Sequence, residues 1–75
     1  MKFVKDLYDD SYYNASLVQR IFLGKTYMPK GEVVVSVYLV QCSLQDETIL
    51  ILSDKYEMKI SAEIALNKLL DYLRE

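Results

Sequence analysis

The sequence predicts a small α+β domain: a four-stranded antiparallel β-meander with one C-terminal α-helix packed across one face (ββββα). Three observations carry that expectation. Short apolar segments with a period of two recur between Lys2 and Ser53, separated by turn-forming residues. From Ala62 the period becomes helical, and a chain of 75 residues has room for one small domain only.

The first strand is expected over Lys2 to Leu7, with Phe3 and Leu7 on one face and Lys2 and Asp6 on the other. Tyr8-Asp9-Asp10-Ser11 follows as a turn, because Asp and Ser side chains bond their own backbone. The second strand spans Leu17 to Leu23, with Tyr12 to Ala15 as a backward extension. Leu17, Ile21 and Leu23 share one of its faces, and Val18, Arg20 and Phe22 the other. Both glycines and the single proline lie between Gly24 and Gly31, which therefore reads as the clearest loop.

The third strand, Val33 to Leu44, is apolar on both sides: Val33, Val35, Val37 and Leu39 on one, Val34, Tyr38, Val40, Cys42 and Leu44 on the other. Gln45-Asp46-Glu47 is short enough to join it to a hairpin partner, Thr48 to Ser53, which is again apolar on both faces. In the helix, Ala62, Ala65, Leu66, Leu69 and Leu73 form the buried stripe, flanked by Ile64 and Leu70. Ser61 reads as the N-cap, and Glu63 and Arg74 carry the signs the helix dipole favours. One helix covers one face, so the other face of the last two strands is left without cover from its own chain. Association of two copies, face to face or edge to edge, is the economical remedy, and closure into a partial barrel is the competing one.

Composition narrows the function. One cysteine permits no intramolecular disulfide, and with no histidine a zinc site would have to be built from carboxylates. The net charge of -2 gives no cationic surface for phosphate backbones as a whole. The first thirty residues are nonetheless mildly basic and the remainder acidic. No apolar run approaches the roughly 18 residues a bilayer requires, and Lys5-Asp6 interrupts any leader at the start, so cytoplasmic residence is the expectation.

Among the short motifs, Gly24-Lys25-Thr26 has the ending of a phosphate loop but has Gln19 where the earlier glycine belongs and Tyr27-Met28-Pro29 where the helix should open. Asp6, Asp9 and Asp10 lack the glycine and distal glutamate of a calcium loop and read as turn formers. Cys42 has no histidine to activate it and reads as a small core residue. Seven of the nine aromatics are tyrosines, a residue that caps small cores and also suits interfaces.

The order of elements, with Tyr13-Asn14, Ile21 and the Ala65 to Leu70 helix, resembles that of many small bacterial and phage proteins. That likeness implies no activity and no site residue.

The expected function is a non-enzymatic, homodimeric protein-interaction module that serves as accessory subunit or inhibitor of a larger protein, with no cofactor and no metal. Its expected interface comprises Val34, Tyr38, Val40, Leu50, Leu52, Tyr12 and Tyr13. The alternative is single-stranded nucleic-acid binding through the N-terminal strands and the Gly24–Gly31 loop, using Arg20, Lys25 and Lys30.

Overall fold

A computed structural model describes residues 2–75 and shows an α+β fold of antiparallel sheets with one C-terminal helix. The strands form two sheets rather than a single four-stranded meander. In the first, β1 (Phe3–Lys5) pairs with β2 (Tyr12–Asn14), Val4 lying opposite Tyr13. In the second, β3 (Val18–Lys30) pairs with β4 (Val33–Leu44), which pairs with β5 (Ile49–Ile51). The helix α1 spans Lys59–Arg74.

The separation into two sheets starts at the Asp-rich turn. The Asp6 carboxylate accepts from Tyr8 N (3.1 Å), that of Asp9 accepts from Ser11 N (2.9 Å), and Asp10 takes a positive φ of 61°. These bonds reverse the chain at once, so the first strand pairs with Tyr12–Asn14. A single turn of 3-10 helix, Ala15–Leu17, opens on Asn14, whose side chain accepts from Ser16 N, and delivers the chain to β3.

The segment Gly24–Gly31 is not a loop. Apart from Gly31 it belongs to β3, and the reversal is the two residues Gly31 and Glu32, with Gly31 at φ 64° in the first central position that a glycine-led hairpin turn requires. Pro29 is compatible with the strand because of its register. Lys30 and Val33 close the turn as a hydrogen-bonded pair, so the even-numbered residues of β3 direct their backbone groups at β4 and the odd-numbered ones direct theirs away. On the other side of β4, Tyr38 exchanges both backbone bonds with Tyr56 (2.7 and 2.8 Å), which agrees with that assignment. Pro29, an odd position, lacks a donor that the ladder to β4 does not use.

The expected faces of the first strand are inverted. Val4 and Asp6 turn inward, while Phe3 and Leu7 are exposed. Asp6 accepts a second bond, from Ile51 N (3.1 Å), and Leu7 N donates to Ile51 O (2.8 Å), so the end of the first hairpin closes the outer edge of β5.

The helix also begins earlier than expected. Its N-cap is Met58 and not Ser61, whose N–H donates to Met58 O (3.1 Å), and Glu63 therefore falls beyond the first turn. At the other end the Lys2 ammonium donates to Tyr72 O and Glu75 O, placing a cation on the helix C-terminus.

The core is the cluster Val4, Cys42, Leu44 and Leu50, joined by Tyr13, Ile21, Leu52, Leu69 and Leu73. Both the first hairpin and the helix therefore lie over the face of β4 that carries Cys42 and Leu44. Val37 and Leu39, on the opposite face, are buried as well.

Candidate protein-interaction surface

The long hairpin of β3 and β4 has a covered base and an uncovered end. Tyr56 pairs with Tyr38, and the helix starts three residues later and runs toward the base, where Leu69 and Leu73 meet the core. The outer part of the hairpin is the arm from Tyr27 to Val34. Tyr27, Met28, Val33 and Val34 are exposed there, with Tyr27, Pro29 and Val34 on one face and Met28, Lys30 and Val33 on the other. Lys30 is tied to Glu57 by an ion pair of 3.0 Å, and an open groove of about 380 Å³ lies beside it, lined by Met28, Val35 and Tyr56 among others.

The arm makes the molecule elongated. Its extents are 44 × 23 × 18 Å, and its radius of gyration is 13.0 Å, against roughly 11 Å for a compact chain of this length. Its accessible surface is 5351 Å², against roughly 4,800 Å² for a compact monomer of this mass.

The seven residues expected at an interface divide by burial. Val40 and Leu50, each 1% exposed, are interior, so the expectation that they stand on an uncovered face is corrected: the helix and the first hairpin lie over the face that carries them. Leu52 and Tyr13 are half-buried against the core cluster, and Tyr38 is half-buried beside Tyr56. Val34 (69% exposed) and Tyr12 (68%) are open to solvent, on different sheets. Tyr27, Met28 and Val33 belong with Val34 on the arm. Their signal was the alternation of Thr26-Tyr27-Met28, which the neighbouring proline and glycines masked.

The three cations of the alternative reading are not brought together. Arg20 and Lys30 share a face but stand ten residues, or roughly 33 Å, apart along one strand, and Lys25 is on the opposite face. Arg20 stacks on Phe22 at 4.8 Å, Lys25 lies 5.9 Å from the Tyr38 ring, and Lys30 is engaged by Glu57.

Cys42 is buried, and desolvation, followed by the nearby Asp6 charge, pushes its thiol above the ordinary value. That shift opposes thiolate formation and suits a packing role. Among the described residues no three His, Cys, Asp or Glu side chains converge to hold a metal ion, and no helix is long and apolar enough to cross a membrane. Compared with protein-family models, curated proteins and solved structures, the chain gives no match.

Proposed function

We propose that this chain is a non-enzymatic protein-interaction module that works as a homodimer and docks on a larger protein as an accessory subunit or inhibitor. The observation that supports this reading is the arm, which holds Tyr27, Met28, Val33 and Val34 in water on a two-stranded support. Apolar side chains presented in this way favour burial against another protein surface.

Light scattering on a sizing column at ~10 μM tests self-association at a concentration typical of transient to moderately tight dimers. A mass of twice 8.8 kDa is expected, and a constant 8.8 kDa overturns the homodimer. Docking on a second protein is tested by capture with the intact chain and with the double variant Tyr27→Lys, Val34→Lys. The expected result is a protein retained by the first and lost by the second. Identical captures overturn the role of the arm.

A further inference from the structure

The β3 backbone carries a free edge whose pattern is symmetric about one residue. Its odd-numbered positions point their N–H and C=O groups away from β4, which gives outward donors at Ile21, Leu23, Lys25 and Tyr27 and none at Pro29. Among the described residues no hydrogen bond from another element satisfies these four donors, whereas the outer edge of β5 is closed at Ile51 by Asp6 and Leu7. At the base the edge is interrupted by the bulge between Val18 and Arg20, and at the tip by Pro29. The regular stretch between those limits is Arg20 to Met28, and its midpoint is Gly24.

We infer that a second copy of the chain pairs along this edge, β3 antiparallel to β3, on a two-fold axis through Gly24. The inference deepens the proposed function by naming the surface of self-association, and it rests on that reading. In this register Ile21 faces Tyr27 of the other copy and Leu23 faces Lys25, each pair exchanging two bonds, for about eight in all. Phe22 faces Thr26, so both aromatic residues of the stretch oppose β-branched partners, and Gly24 faces Gly24.

Neighbouring registers are poorer. Centring on Lys25 sets Lys25 against Lys25 and spends a pair on Pro29. Centring on Leu23 sets Tyr27 against the bulge. The two β3 edges bring only like charges together, since Arg20 and Lys25 have no carboxylate on their own strand. Added salt therefore preserves or tightens the pairing, whereas it would weaken the capture of an acidic strand from another protein.

Two variants test the edge. Lys25→Pro removes one outward donor and no bond to β4, as Pro29 already does. Gly24→Cys places two thiols on a non-hydrogen-bonded pair whose Cα atoms stand about 4.5 Å apart in this register, within disulfide range, after the flexible end of Gln41 rotates away. The expected results are a dimer for the native chain that persists from 50 to 300 mM salt, a folded monomer for Lys25→Pro by circular dichroism and light scattering, and a Gly24→Cys dimer covalently linked through position 24 under mild oxidation. If Lys25→Pro does not fold, the crosslink decides alone. A native dimer that yields no such crosslink overturns the edge and leaves self-association standing, and a native monomer overturns both.

Discussion

Asp6 is 6% exposed, yet it holds together three parts of the chain. Its Oδ1 accepts from Tyr8 N within its own turn and from Ile51 N on β5, and its backbone N–H donates to Ser11 O. Truncation to Ala leaves two backbone donors without a partner in a part-buried site, at a cost of roughly 1–3 kcal/mol. For a chain of this size that predicts a fall in melting temperature of at least ~4 °C, with Asp6→Asn retaining more of the stability because its amide oxygen still accepts. Thermal unfolding by circular dichroism checks the order. The inward position of Asp6 was not legible from alternation, which assigns a carboxylate to water; it follows from a long-range bond to residue 51. Cys42 was legible, because a small sulfur residue within an apolar strand and without histidine has little other role.

At the scale of elements, turn chemistry was read correctly where side chains act locally and misread where register decides. Tyr8–Ser11 and Gln45–Glu47 turn as expected, through backbone N–H groups that donate to Asp side chains two residues earlier. Gly24 to Gly31 does not, because Pro29 falls on the outward side of an edge strand, which depends on where the chain reverses.

The helix stripe was legible because its period is internal to the segment. Its start was not, since Met58 caps without a side-chain bond. The β4–β5 turn offers a direct test. Glu47 sits at φ 72°, where an L side chain is strained and glycine is not, in the last position of a three-residue connection. Glu47→Gly is expected to stabilise by about 1 kcal/mol, raising the melting temperature by several degrees. An unchanged or lower value would count against strain at that turn.

For the whole molecule, the two-ended build implies uneven stability. The base packs Val4, Cys42, Leu44 and Leu50 between helix and hairpin, while the arm has cross-strand pairs and one ion pair. Native-state hydrogen exchange should separate them: amides of Leu39, Gln41 and Ser43 exchange at the rate of global unfolding, and those of Met28, Lys30 and Val33 at least ~100-fold faster through local opening. Uniform protection would mean that the arm is fixed as firmly as the base. The class of fold was legible in the sequence because periodicity reports which side chains must leave water. The division into two sheets and the projecting arm were not, since both depend on which strands meet, and Val4 opposite Tyr13 or Tyr38 beside Tyr56 leaves no mark in either strand alone.

The contact of Lys2 with the carbonyls of Tyr72 and Glu75 brings residues 2 and 75 together. The Gly31–Glu32 turn lies at the far end of β4, a strand roughly 37 Å long. A fluorophore attached at either position would stand clear of the arm.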